Sequence, residues 1–238
     1  MSESKRTPGP ETRPKDDGVD PRFLNFGKYV RRHELVRFIV QYELFKKVLN
    51  VKGCIVECGV YEGAGVMTWA KLSAALEPYA FLRKIYGFDT FEGFPSVSDA
   101  DLEGPAPVAD VGRLRVDYDV VADLQERIRE FDATRYLPHI EKVTLIKGDA
   151  VRTIPEFVAA NPQLIISLLY LDFDLYEPTA AALKYFLPRM GKGSIIAFDE
   201  ANDAKWPGET RALLEYLDLK QYTLECFPFE PHISWITL

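Results

Sequence analysis

Four acidic residues follow two apolar, strand-like runs in the second half of the chain. Asp172 and Asp174 stand at the end of one run, and Asp199 and Glu200 at the end of the next. Carboxylates crowded into one small volume raise one another's pKa unless a cation binds between them. A set of oxygen ligands without nearby His or Cys favours Mg²⁺ or another hard divalent cation over Zn²⁺. We therefore predict a metal held by Asp174, Asp199 and Glu200.

A structural interpretation of part of this cluster stays open. Asp174 is followed three positions later by Glu177, and Pro178 comes next. This spacing resembles a capping box at the start of a helix that carries proline in its first turn. Asp174 could therefore be a helix cap instead of a metal ligand.

A glycine-rich loop follows the apolar run 54–58. Glu57 is followed by Gly59, Gly63 and Gly65, and glycines let the backbone pass close beneath a ligand. The spacing differs from the dinucleotide pattern G-x-G-x-x-G, and a glutamate here would repel a pyrophosphate. The same carboxylate suits the cationic methionine end of S-adenosylmethionine. A tight turn without a ligand is the alternative.

Two further acids follow the next two strand-like runs. Asp89, followed by Thr90, could bind both ribose hydroxyls of an adenosine, and Asp149, followed by Ala150, could accept from the adenine amino group. Each acid could equally cap a helix. Ligands of open α/β sheets bind outside the carboxyl ends of the strands, where these acids would converge with Glu57. The predicted S-adenosylmethionine site comprises Glu57, Gly59, Gly63, Gly65, Asp89, Thr90, Asp149, Ala150 and Asp172.

A metal beside a methyl donor predicts methyl transfer to a hydroxyl of a diol. Two diol oxygens would bind the ion, and a carboxylate would take the proton of the reacting hydroxyl. Asp174 is the first candidate for this base and Asp172 the second. Methyl transfer itself needs mainly alignment and proximity.

Alternating strand and helix patterns must position these residues. Strand-like runs lie at 54–58, 85–89, 143–147, 164–172 and 194–199, with helices near 66–76, 121–131, 154–160 and 176–187 and an earlier helix over 33–50. This alternation predicts a mostly parallel sheet covered on both faces. The final runs, 222–227 and 233–238, are too close for a crossover helix, so the last strand must be antiparallel.

The connection over 90–120 is too long for an ordinary loop, and such loops at the carboxyl edge of a sheet commonly cover substrate. We predict that it forms a lid over the site. Its acidic residues Asp99, Asp101 and Glu103 are expected mainly to solvate the loop.

Composition limits the classes of function. The 238 residues, 47% of them apolar, predict one domain over 21–238 after a polar, disordered tail over 1–20. The net charge of −7 without a basic cluster argues against a nucleic-acid partner and favours a small molecule. No apolar run is long enough for a membrane span. Three irregularly spaced cysteines fit a reducing cytoplasm.

In its motifs the chain resembles the macrocin and mycinamicin O-methyltransferase family, which methylates deoxysugars. The matches are ECGV at 57–60, DTFEGFP at 89–95, GDA at 148–150, LDFDLYEPT at 171–179 and GSIIAFDE at 193–200. The resemblance implies the class I methyltransferase Rossmann-like fold, a mostly parallel seven-stranded sheet with a terminal antiparallel strand, preceded by an N-terminal helix. It also implies Mg²⁺ dependence, oligomeric assembly and a sugar or sugar-nucleotide substrate. Because members usually carry two aspartates where this chain has Asp199-Glu200, the third ligand is the least secure.

The amino-terminal motif FGKY at 26–29 is similar to the branch that 3-O-methylates dTDP-linked 6-deoxyhexoses. Two other enzyme classes stay open: a metal-dependent O-methyltransferase of a phenolic diol, and a nicotinamide-dependent oxidoreductase. A binding protein without catalytic activity is the third alternative.

Overall fold

The computed structural model describes residues 20–238. The chain divides after Leu35 into two compact units, and the second runs from Val36 to Leu238. The described part of the first unit holds helices α1 (Pro21–Leu24) and α2 (Phe26–Tyr29) and the start of α3 (Arg32–Val48). The predicted disordered tail lies outside the described residues except for Asp20, which caps α1. A single domain over 21–238 stays a prediction.

A seven-stranded sheet lies at the centre of the second unit. Its strands are β1 (Cys54–Cys58), β2 (Ile85–Asp89), β3 (Val143–Lys147), β4 (Ile166–Leu171), β5 (Met190–Phe198), β6 (Glu225–Phe227) and β7 (Glu230–Thr237). Their order is β3-β2-β1-β4-β5-β7-β6. All neighbours are parallel except that β7 runs antiparallel to both β5 and β6. The predicted parallel sheet with a terminal antiparallel strand is confirmed.

Helices cover both faces of this sheet. They are α4 (Ala64–Leu76), α6 (Val120–Thr134), α7 (Ala150–Ala160), α8 (Tyr176–Phe186) and α9 (Pro207–Tyr216), with the short α5 (Asp99–Leu102) in the long loop. Successive strand residues point to opposite faces. Ile55 therefore packs with residues of α3, α4 and α6, whereas Val56 packs with residues of α7, α8 and α9. No helix within residues 20–238 is long and apolar enough to cross a membrane.

The long loop is attached to the domain by Asp101. This residue is only 2% exposed. Its Oδ2 accepts from the Ser98 amide at 2.8 Å and the Ser98 hydroxyl at 2.6 Å, and its Oδ1 accepts from the Tyr176 amide at 2.6 Å. The expectation that Asp101 solvates the loop is wrong, because its carboxylate caps α8 from 75 residues away. Asp99 and Glu103 are exposed, as expected.

We expect Asp101→Ala to lower the free energy of unfolding by about 3 kcal/mol, because the Ser98 and Tyr176 amides lose a charged acceptor. Guanidinium denaturation followed by circular dichroism measures the change. The matched control is Asp99→Ala, which removes an exposed aspartate of the same short helix and should change stability by less than about 0.5 kcal/mol. Equal effects of the two substitutions would contradict the capping role.

Candidate active site

A cavity of about 310 Å³ opens at the carboxyl edge of the sheet. The loops after β1, β2, β3, β4 and β5 all contribute to its wall. Eight predicted site residues line it: Gly59, Asp89, Thr90, Asp149, Ala150, Asp172, Asp174 and Glu200. Parts of the long loop, including Phe91 and Leu114, form another side. The sheet therefore gathers residues from five strand ends around one space, as the sequence predicted.

Gly59 allows the ends of three strands to meet at this edge. Its amide donates to the Phe88 carbonyl at 2.9 Å, while the Asp172 amide donates to the Cys58 carbonyl at 2.8 Å. Gly59 has φ +91°, and a Cβ there would lie 1.8 Å from the Asp172 carbonyl oxygen. A side chain at this position would therefore clash with backbone, and the glycine is required for the close approach.

Glu57, Gly63 and Gly65 are not among the residues that line the cavity. The Glu57 side chain is 3% exposed and accepts from the Trp69 indole N–H at 2.5 Å. Burial raises the pKa of Glu57 to about 8, and the hydrogen bond from Trp69 opposes this shift. A Cβ on Gly65 would lie 2.4 Å from the Glu57 carboxylate, and one on Gly63 would meet Leu124. These three residues therefore support the loop from beneath in this structure.

Asp89 is held rigidly by backbone amides. Its Oδ2 accepts from the amides of Val60 and Tyr61, each at 2.8 Å, and its Oδ1 accepts from the Phe91 amide at 2.6 Å. Because a carboxylate offers about four lone-pair positions, capacity remains for a ligand hydroxyl. The Thr90 hydroxyl donates to the Gly93 carbonyl at 2.7 Å and so stabilises the turn that follows.

Asp149 caps α7 and also lines the cavity. Its Oδ1 accepts from the Val151 amide at 3.0 Å, so the capping interpretation of this residue is confirmed. Capping uses one carboxylate oxygen, and the other is left to accept from a ligand. Ala150, the first residue of α7, lies beside it on the cavity wall.

Asp174 differs from the aspartates Asp89, Asp149, Asp172 and Asp199, because no group within residues 20–238 donates a hydrogen bond to its side chain. It is 6% exposed and adopts φ +63°, a conformation that is uncommon for aspartate. The N-cap of α8 is Leu175, and the capping contact comes from Asp101. The alternative that Asp174 caps α8 is therefore wrong. Burial raises the pKa of Asp174 to about 8; Glu200 and Asp199 add to the shift, while Arg113 opposes it.

Arg37 on α3 neutralises part of the acidic cluster. Its Nη2 lies 3.1 Å from Asp172 Oδ2 and 2.8 Å from Asp199 Oδ1, and its Nη1 lies 3.2 Å from Asp199 Oδ2. The Tyr170 hydroxyl donates to Asp199 Oδ1 at 2.5 Å. Both oxygens of Asp199 therefore have a protein partner, and its side chain is not on the cavity wall.

Glu209 is a fifth acid that the sequence reasoning missed. Its side chain is fully buried, and its Oε1 accepts from the Glu200 amide at 2.9 Å. Its Oε2 is buried and has no hydrogen-bond partner among the residues that the structure describes. Burial raises the pKa of Glu209 well above its usual value. Burial also raises the pKa of Glu200 to about 7, helped by Asp199 and Asp203. Glu209 thus fixes the backbone that carries Glu200.

The donor set is compatible with a hard cation, although no group of three ligating His, Cys, Asp or Glu side chains occurs within residues 20–238. In the described part of the chain the Asp174 carboxylate and Glu209 Oε2 have no hydrogen-bond partner, and Arg37 supplies one positive charge to the five acids. Uncompensated buried carboxylates of this kind are stabilised by a bound cation. The predicted ligand set of Asp174, Asp199 and Glu200 therefore stays a prediction.

Two aromatic residues form an apolar side of the cavity. Phe94 of the long loop and Trp206, just before α9, pack edge to face with ring centroids 5.9 Å apart. The Arg113 guanidinium stacks over the Trp206 ring at 5.5 Å. Phe94 lies in the DTFEGFP motif at 89–95, but no role was predicted for it. No motif indicated Trp206, although a tryptophan–proline pair ahead of a helix is a local sign of a helix start.

Comparisons with known proteins agree with this architecture. A family model described as Macrocin-O-methyltransferase (TylF) matches residues 36–225. Over 151 residues the chain is 30% identical to the 8-demethyl-8-(2,3-dimethoxy-alpha-L-rhamnosyl)-tetracenomycin-C 4'-O-methyltransferase of Streptomyces olivaceus, covering 63% of this chain and 54% of that protein. The matched region thus spans about half the length of the curated relatives.

Two solved structures are similar over nearly the whole chain. CalS11, a calicheamicin methyltransferase, is 38% identical with a TM-score of 0.86, covering 94% of this chain and 87% of that one. An apo structure of CalS11, there named a TDP-rhamnose 3'-O-methyltransferase, is 34% identical with a TM-score of 0.78, covering 94% and 88%. The family model and the long structural matches confirm the resemblance, and the chain belongs to the macrocin-O-methyltransferase (TylF) family.

Proposed function

We propose that the chain is an S-adenosylmethionine-dependent O-methyltransferase that uses a divalent metal to methylate a sugar hydroxyl, on a dTDP-linked 6-deoxyhexose at its 3-position. One observation carries the proposal. Asp174 presents to the cavity a buried carboxylate with no hydrogen-bond donor among residues 20–238, and Gly59, Asp89 and Asp149 line the same cavity. This arrangement supports a base beside a nucleoside-binding edge.

The nucleoside of the methyl donor would be bound by acids already fixed by the fold. Asp89 would accept from the ribose hydroxyls, since three backbone amides hold its carboxylate in place. Asp149 would accept from the adenine amino group with the oxygen that does not cap α7. S-adenosylmethionine, when bound, supplies an electrophilic methyl group. Gly59, which has no side chain, would let the backbone pass close beneath the cofactor.

Asp174 would take the proton from the reacting hydroxyl. In the metal-free protein burial raises the pKa of Asp174 to about 8, which makes this carboxylate a stronger base than an exposed aspartate. Asp172 is the second candidate, but Arg37 occupies its Oδ2 at 3.1 Å. The apolar side formed by Phe94 and Trp206 would exclude water from the reacting atoms.

A Mg²⁺ ion would be held by Asp174, Asp199 and Glu200. The unpartnered Asp174 carboxylate supports this assignment, and Glu209 supports it by fixing the Glu200 backbone. Such a cation, when bound, lowers the pKa of a coordinated hydroxyl. Arg37 would hold Asp199 in position through its ion pair.

The names of the relatives support a sugar acceptor. The Streptomyces olivaceus relative is named as a methyltransferase of a rhamnosyl compound, and CalS11 as one of TDP-rhamnose. A homo-oligomer remains our proposal for the assembly, and sedimentation of the full chain tests it.

A methyl-transfer assay with three acceptors tests the proposed function. The native protein is given labelled S-adenosylmethionine with dTDP-rhamnose, a neutral methyl rhamnoside or a catechol, each with Mg²⁺ or with EDTA. We expect labelled dTDP-rhamnose in Mg²⁺ only. Label on catechol alone would favour the phenolic-diol alternative, and transfer that survives EDTA would contradict the metal.

A further inference from the structure

A cation without an acidic partner within residues 20–238 lies beside Trp206, a residue of the cavity wall. Arg113 is exposed, and within residues 20–238 its guanidinium makes neither a hydrogen bond nor an ion pair. Five arginines of the second unit pair with a carboxylate, namely Arg37, Arg83, Arg127, Arg135 and Arg211, whereas Arg113 stacks on Trp206. Because Arg113 has no acidic partner within residues 20–238, its guanidinium is available to bind an anionic ligand beside the site.

The position of Arg113 is fixed by its backbone and by stacking. The Phe94 amide donates to the Arg113 carbonyl at 3.1 Å, and the Gly112 amide donates to the Phe94 carbonyl at 2.9 Å. These hydrogen bonds join two segments of the long loop beside the cavity. The guanidinium lies over the Trp206 ring at 5.5 Å. Stacking on an aromatic face leaves the N–H groups at the edge of the guanidinium free to bind an anion.

The aromatic residues link this cation to the proposed base. Phe94 and Trp206 both line the cavity whose wall includes Asp174 and Glu200. The charge of Arg113 also acts on the Asp174 carboxyl, so the two groups lie within electrostatic reach. An acceptor with its hydroxyl at Asp174 and its ring against Trp206 would direct its next substituent toward Arg113.

We infer that Arg113 selects the acceptor by binding the diphosphate of a nucleotide-linked sugar, with Trp206 and Phe94 as the apolar platform for the sugar ring. Guanidinium binds phosphate oxygens through two parallel, charge-assisted hydrogen bonds. A neutral glycoside has no group for this contact. Methylation would therefore precede the glycosyl transfer that consumes the nucleotide sugar. The inference rests on the proposed function for the hydroxyl that reacts, but the diphosphate contact can be measured without turnover.

The test compares Arg113→Gln with Arg115→Gln, which removes the same charge from an exposed arginine two residues along the loop. Calorimetric titration of dTDP into protein saturated with S-adenosylhomocysteine gives the dissociation constant. We expect the dissociation constant for dTDP to rise about 10- to 100-fold in Arg113→Gln and to change less than about twofold in Arg115→Gln. Arg113→Lys should give an intermediate value. Native protein that does not bind dTDP, or equal losses in both glutamine variants, would overturn the inference.

Kinetics provides a second readout. Arg113→Gln should raise KM for dTDP-rhamnose by about the same factor as it weakens dTDP binding, whereas Arg115→Gln should leave that KM within about twofold of the native value. Equal increases in KM in the two variants would overturn the inference. If the native protein binds dTDP through Arg113 but methylates no sugar, the proposed function fails while the diphosphate site stands.

Discussion

Asp174→Asn is expected to lower kcat by about a thousandfold, while the affinity for S-adenosylhomocysteine changes by less than about twofold. Removing a positioned general base typically costs about 10²- to 10⁴-fold in rate. Asn has the same shape but cannot accept the proton, and the same change removes a predicted metal ligand. Because no group within residues 20–238 donates to the Asp174 side chain, the fold should tolerate the amide. Steady-state kinetics at saturating acceptor and calorimetry with the product cofactor measure the two quantities.

The matched control for this variant is Glu177→Gln. Glu177 lies three residues further along the same segment, carries the same charge and is exposed. Its kcat should stay within about twofold of the native value, as for most surface substitutions. Retained methyl transfer in Asp174→Asn would show that this carboxylate is neither base nor essential ligand. A parallel loss in Glu177→Gln would point to a general effect of charge.

Asp89→Asn is expected to weaken cofactor binding by about a hundredfold or more. The Asp89 carboxylate accepts three backbone amides, and an amide nitrogen cannot replace either oxygen without facing an N–H group. The hydrogen bond to a ribose hydroxyl would also weaken. Hydrogen bonds to charged groups contribute about 1.5–3 kcal/mol each, so losing one, together with disturbing the amide contacts, accounts for a factor of this size. Titration of S-adenosylhomocysteine measures it directly.

Glu92→Gln is the control for Asp89→Asn. Glu92 lies three residues further along the chain, is 68% exposed in its side chain and pairs with Lys147 at the surface. Its substitution should leave the dissociation constant within about twofold of the native value. An Asp89→Asn protein that melts like the native chain and still binds the cofactor normally would contradict the assignment of Asp89 to the ribose.

The strand ends and the residues that follow them could be predicted because they depend on local patterns. Short apolar runs between helical segments identify parallel strands, and parallel strands necessarily bring Asp89, Asp149 and Asp172 to one edge. The antiparallel β7 followed from the five residues between the last two runs. Strand ends differ by a few residues: β5 begins at Met190 instead of 194, since its pairing with β4 includes Met190.

The contacts that complete the site depend on partners far away in the chain. Arg37 binds Asp172 and Asp199 across 135 and 162 positions, and no local feature distinguishes it from a surface arginine. Asp101 has the composition of a solvated loop residue, and only the fold brings it to the start of α8. The capping spacing from Ser98 to Asp101 was the one local signal for α5.

Glu209 was missed together with its helix. α9 has a buried face made largely of small residues, including Gly208 and Ala212, so its helical period is weak in the apolar pattern. Its buried glutamate also contradicts the usual expectation that charged residues face solvent. Predicting Glu209 would have required knowing that α9 packs beneath the acids after β5.

The measurement that tests the account most directly is calorimetric titration of S-adenosylhomocysteine into the native, metal-free protein, repeated with NADH as the competing ligand class. We expect one S-adenosylhomocysteine to bind per chain with saturation and NADH not to bind. The reason is that the loop after β1 follows Glu57 and lacks the G-x-G-x-x-G spacing of a pyrophosphate-binding loop. If the protein melts cooperatively but binds no S-adenosylhomocysteine, either without or with Mg²⁺, the proposal of an S-adenosylmethionine-dependent methyltransferase is contradicted.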